Sequence, residues 1–350
     1  MTDPDPVHSH SERTLTVHCP WGLGNRVRLL LSGLAIARAT GRRFRMFWPR
    51  TNDCAAGFAD LFQNDWGVLG EPPDEQTQAL TKTFAPWQRT PDLLDSQERH
   101  LVLRSNSWLI QPQVHSRHVQ LMRDCAAIFH ELVPIEPIQG AQSQFRQGNF
   151  RPSMIGVHVR RGDYVNPRVR PDTVFSLQRT LSAVDQYLEH SPQAGIFLCT
   201  DDGAVHPKTG KLTETHGIVA SFQERYPERV VLAPSTSLDR GQTSAVQQAL
   251  VELLLLRQTD YFVGTQQSSF SAMVMIGRDR PATLCSGPTP ASERQERIAR
   301  LTGAYHVAMM IGRRKLDPDA PFHYVWNLWL PGQIKVLPRR LFSRMTGQPF

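Results

Sequence analysis

From Met154 to Cys285 short apolar runs alternate with amphipathic segments, and this alternation restricts the fold more than any other feature of the chain. Met154–Val159, Ile196–Cys199, Arg229–Leu232, Tyr261–Val263 and Ala282–Cys285 read as strands. Asp172–His190, Val219–Arg225, Ser244–Gln258 and Ser268–Ile276 read as the helices between them. Strands that alternate with helices predict a doubly wound parallel sheet, whose ligands bind at the carboxyl ends of the strands.

An earlier unit shows the same logic. Thr14–Cys19 reads as a strand, Gly22-Leu23-Gly24 as a turn, and Val27 to Ile36 as an apolar-periodic helix that stops at Gly41. Phe44–Trp48 is the next strand, parallel to the first if the crossover is right-handed. Val114–Glu131 reads as a helix. The stretch from Gly70 to Pro112 has no clear pattern. Pro134–Pro152, rich in Pro, Gly and Gln, reads as a linker. The expected domains are therefore 14–150 and 151–300, with 301–350 as a tail. In that tail, 322–350 mixes aromatic residues with Lys and Arg, which suits an acidic membrane surface or packing back onto the body.

Composition narrows the partners. The formal charge of +7 favours anionic ligands without choosing among nucleotides, membranes and nucleic acid. The arginines are dispersed and no nucleic-acid-recognition motif occurs, so no nucleic-acid partner is expected. The five cysteines form no CxxC, which argues against a zinc site and fits a reducing compartment. His115 and His118 lack a completing ligand pair, so no metal is expected. The first residues are polar, without an apolar signal core, and the expected location is the cytoplasm or the inner face of a membrane.

The chemistry concentrates in Gly156-Val157-His158-Val159-Arg160-Arg161-Gly162-Asp163-Tyr164. An apolar strand runs directly into two arginines, placing two guanidinium forks at the crevice mouth. Arginine holds phosphate in a bidentate, charge-assisted geometry. A carboxylate such as Asp163 can orient one of them. Ser268 and Ser269 open a helix, as a phosphate cradle or as a plain cap.

The run HVRRGDY resembles the signature of the fucosyltransferase superfamily. Three further elements follow that family's order: Gly22-Leu23-Gly24-Asn25, Thr200-Asp201-Asp202, and Asp260-Tyr261-Phe262-Val263-Gly264 with Ser268-Ser269-Phe270-Ser271. The resemblance covers roughly 14–285 and implies an α/β fold of two Rossmann-like domains facing a cleft (GT-B). It implies a glycosyltransferase that moves fucose from GDP-fucose to a glycan or glycolipid hydroxyl, with inversion, without metal or other cofactor. By the resemblance Arg160 holds the β-phosphate, Arg161 and Asp163 support it or face the acceptor, and His158 lies against guanine. Phe270 packs in the core or on the base. Glu252 stands where relatives carry a carboxylate, usually Asp, for the guanine edge; an exposed or capping role is the alternative. Gly24 and Asn25 reach the donor from the first domain. Gly22 stands where some relatives have an arginine, for which Arg26 or Arg28 is the candidate substitute. Asp201 or Asp202 bonds a ribose hydroxyl or the sugar, or merely forms a turn. The general base is unassigned between Asp163, Asp172 and a base-free route. A different nucleotide-sugar donor, or nucleotide or glycan binding without turnover, are the alternative functions.

Overall fold

The computed structural model describes residues 13–70, 81–83, 93–110, 117–161, 177–202, 217–234, 237–266 and 268–285. Asp163, Asp172, His115 and the tail 301–350 lie outside them.

Two five-stranded sheets, wholly parallel in every described pair, organise the molecule. The first begins with β1 (Thr14–His18), α1 (Leu23–Thr40) and β2 (Arg43–Phe47). It continues with β3 (Val68–Leu69), β4 (Thr81–Thr83) and β5 (His100–Arg104), in the order β3-β2-β1-β5-β4. The expected β1–α1–β2 crossover is present and parallel. Gly41 ends α1 in the left-handed conformation, at φ 62°, where a side chain would be strained. One expectation is corrected here. The Gly22-Leu23-Gly24 turn is already helix from Leu23, because Gly22 is extended and α1 buries Leu23 and Gly24 at once.

Next come α2 (Arg117–Glu131) and α3 (Glu136–Asn149). The linker expected at Pro134–Pro152 is thus mostly helix. Pro137 falls in the first turn, where its missing N–H costs nothing. Burial of Ile138 and the tilted contact of Phe145 with Phe197, 5.4 Å between centroids, override the weak helix propensity of the stretch.

The second sheet is built from β6 (Met154–Val159), α4 (Leu177–His190), β7 (Gly195–Thr200), α5 (Ile218–Arg225) and β8 (Val230–Val231). It is completed by α6 (Thr243–Gln258), β9 (Tyr261–Thr265), α7 (Ser269–Met275) and β10 (Ala282–Cys285). Its order is β10-β9-β6-β7-β8. Strand alternation sends Ile155, Val157, Ile196, Leu198 and Val263 into one core with Val184 and Phe222. Met154, Phe197 and Phe262 face the other way, into a larger core shared with Leu15, Val17 and Leu30 of the first unit.

The two units meet through backbone as well as side chains. A Cβ placed on Gly24 would stand 2.8 Å from the amide nitrogen of Phe270, so only glycine lets α1 approach the start of α7 this closely. Arg257 lies 4.1 Å over the Phe129 ring of α2 and donates to the carbonyls of Met273, Val274 and Ile276. The Ala55 N–H donates to the Arg240 carbonyl at 2.9 Å. Among the described residues, no helix is long and apolar enough to cross a membrane.

Candidate functional site

β6 is buried along its whole length and breaks into solvent at Arg160 and Arg161, both half-buried. Thr265, at the end of neighbouring β9, fixes the exit. Its Oγ1 accepts the Arg160 N–H at 2.9 Å and donates to the His158 carbonyl at 3.0 Å. Asp201, one residue past β7, supplies the orientation. Its Oδ2 accepts from Arg160 Nη1 and its Oδ1 accepts the Arg161 N–H. A second cation, Arg240 Nη2, stands 3.4 Å from the same Oδ2. Burial pushes the Asp201 carboxyl up. Arg160, the Arg161 amide and Arg240 outweigh it and hold the group below the usual carboxylate range. Asp201 thus orients Arg160.

His158 points from β6 toward α7. Its Nδ1 is 2.7 Å from Ser271 Oγ and its ring lies 4.8 Å from that of Phe270. Burial, aided by Arg160 and Arg240 and opposed by Asp201, lowers its pKa to about 4, so the imidazole is neutral at ordinary pH. Ser268 is the cap of α7, its Oγ accepting the Ser271 N–H at 3.4 Å. Ser269 and Phe270 are the residues against which Gly24 packs. The glycine and serine segments, far apart in the chain, therefore meet at one place.

The other sequence candidates are placed as follows. Asp202 accepts the Ile218 N–H at 3.1 Å and so closes the start of α5. Asn25 Oδ1 accepts from Arg28 Nη2 at 2.7 Å, and Arg28 also donates to the Asn106 carbonyl. Arg26 is fully buried. Its guanidinium donates to the carbonyls of Trp21, Pro49 and Pro20 and to Thr51 Oγ1, which leaves it holding the fold. Glu252 lies on α6 beside Gln248 and Cys199. Burial raises its carboxyl to about 7 against the opposing bonds from Gln248 and Cys199.

Sequence reasoning passed over Arg240. It sits in a turn before α6 with no periodicity around it, and only the fold brings it to Asp201. Among the described residues no three His, Cys, Asp or Glu side chains are grouped to hold a metal.

No protein-family model matches the chain, and no curated protein matches it in sequence. Solved structures do. NodZ α-1,6-fucosyltransferase soaked with GDP-fucose is 19% identical at a TM-score of 0.52, covering 77% of this chain and 94% of that chain. A mutant of Arabidopsis thaliana FUT1 in complex with GDP is 14% identical at a TM-score of 0.54, covering 81% of this chain and 73% of that chain. The chain therefore has the α/β fold of these fucosyltransferases, as the resemblance of its motifs implied.

Proposed function

We propose that the chain is a glycosyltransferase that moves fucose from GDP-fucose to a hydroxyl of a glycan or glycolipid. The observation that carries this reading is Arg160, aimed by half-buried Asp201 at the carboxyl end of the central strand of the second sheet. Such strand ends are where ligands of open parallel sheets bind. The two fucosyltransferases of like fold, crystallised with GDP-fucose and GDP, support the donor class.

In this reading the acceptor oxygen forms a bond to the anomeric carbon as the bond from that carbon to the β-phosphate breaks, on opposite faces, with inversion. The proton of the acceptor hydroxyl leaves with a base or with water. Negative charge grows on the departing diphosphate, and Arg160 meets it without any metal being called for. A preorganised cation at that position lowers the barrier because its own charge is already oriented. Ionised Glu252 suits the two N–H donors of a guanine edge. Half-buried Phe270, packed on the buried, neutral His158, offers the base an aromatic face. Residues 14–150 would then be the acceptor side and 151–300 the donor side, in a cytoplasmic enzyme.

Glu252 also favours a second reading, a different nucleotide base, because its raised pKa leaves it partly protonated near neutrality. Calorimetry with GDP, UDP and ADP separates the two: preference for GDP is expected, and preference for another diphosphate replaces the donor. Incubation of GDP-fucose with glycan acceptors should release GDP and yield fucosylated product. GDP binding with neither hydrolysis nor transfer would leave a binding protein.

A further inference from the structure

The proposed reaction draws directly on Arg160 alone, yet three guanidiniums gather at this strand end. Arg240 is the one that neither motif nor strand accounts for. Its turn is built with care: Asp239 Oδ1 accepts the Gly241 N–H at 2.9 Å, and the Gln242 N–H returns to the Asp239 carbonyl at 3.0 Å. The Arg240 carbonyl accepts the Ala55 N–H, tying this turn to the segment after β2. The side chain is 31% exposed, against 20% for Arg160, and reaches the same Asp201 oxygen at the longer distance of 3.4 Å.

Charge makes this arrangement unusual. Among the described residues, Arg160, Arg161 and Arg240 bring positive charge to this strand end and Asp201 and Asp202 negative charge, while His158 is neutral. Arg160 and Arg240 reach the same Asp201 oxygen, so two like charges stand close together at this strand end. A carboxylate is also a poorer match for two forks than a diphosphate, which has more charge and more acceptor oxygens. We infer that Arg240 is a second guanidinium on the donor's diphosphate, exchanging its long contact with Asp201 for a phosphate oxygen beside Arg160. This rests on the nucleotide-sugar reading above and adds a residue to it. Through its carbonyl the same residue ties the phosphate site to the loop of the first sheet.

The test is calorimetry of the full chain with GDP and with guanosine, on the wild type, Arg240→Ala and Arg240→Lys. Arg240→Ala should weaken GDP about tenfold or more, the loss of a hydrogen bond between charged groups, and leave guanosine within about twofold. Arg240→Lys should recover part of the loss, as a point charge without the fork. Added salt should weaken GDP binding more in the wild type than in Arg240→Ala. Thermal melting of both variants near the wild-type temperature shows that the fold is kept, and agreement of the two variants guards against a local collapse. Unchanged GDP affinity in Arg240→Ala, or an equal loss for guanosine, overturns the proposal and leaves the donor reading standing. A wild type that binds guanosine no worse than GDP overturns the diphosphate clamp and the donor reading together.

Discussion

Arg26 and Arg160 each follow the carboxyl end of the central strand of a five-stranded parallel sheet, yet the two are held in opposite ways. Arg26 is fully buried, bonded to three backbone carbonyls and a hydroxyl, and lies 5.4 Å from the Trp48 ring centroid. Arg160 keeps a fifth of its side chain exposed and leans on a carboxylate shared with another arginine. An arginine that satisfies its donors on the main chain is a bolt. One held by an acid at a partly exposed strand end stands where a ligand can reach it. Chemical type and sheet position are nearly the same, and the partner set decides the role.

The largest expected effect breaks that contrast most directly. Arg160→Ala should slow transfer about 10²–10³-fold, equivalent to about 3–4 kcal/mol, with the melting temperature little changed. Near-normal kcat would show that the two arginines are alike in being structural. Arg26→Met is the converse. It removes the donor from the Trp21 and Pro49 carbonyls, while Thr51 Oγ1 still donates to the Pro20 carbonyl, and should cost about 2–4 kcal/mol in denaturant unfolding. A stable but inactive Arg26→Met protein would move Arg26 into the site.

Gly24→Ala sharpens the comparison at the point where the two regions touch. Its methyl would press on the backbone of Ser269 and Phe270, and overpacking of this kind costs about 1–3 kcal/mol. The same variant should lose donor affinity, because α7 must shift; a change in stability with unaltered GDP binding would separate the seam from the site.

The smallest effect concerns pH. If ionised Glu252 takes the guanine edge, a proton must leave a group whose pKa is about 7 in the free protein. Guanosine affinity should then fall about tenfold from about pH 8 to about pH 6, the ratio of ionised fractions. In Glu252→Gln that slope should vanish. Folding stability has the opposite sense. The folded state holds this proton more tightly than the unfolded chain, so stability is lost as pH rises from about 4.5 to about 7 and Glu252→Gln should recover it at alkaline pH.

Much of the second sheet was legible because β6 is apolar on both faces and then charged, a pattern that fits a central parallel strand and little else. The β1–α1–β2 unit was legible for a similar reason, with Gly41 marking its turn. Helix α3 was not, since its sequence is poor in helix formers and its stability comes from Ile138 and Phe145 docking on distant partners. The strand β5, exposed at His100 and Arg104, carries too short a buried run to stand out. Within the site, residues were easier to name than pairs. Arg160 and Asp201 were both evident as strand-end residues, but not their bond across 41 positions. The contact of His158 with Ser271 and Phe270 spans more than 100 residues and leaves no local trace.

The core that joins Leu15 and Val17 to Phe197, Phe262 and Met273 has a consequence for how this protein could be taken apart. A chimera that swapped either half for that of a distant relative would inherit a greasy, mismatched wall where α1 and α7 now interlock. Recombination within the lineage would succeed only at crossovers that carry both sides of that wall, so the halves are expected to have diversified in concert.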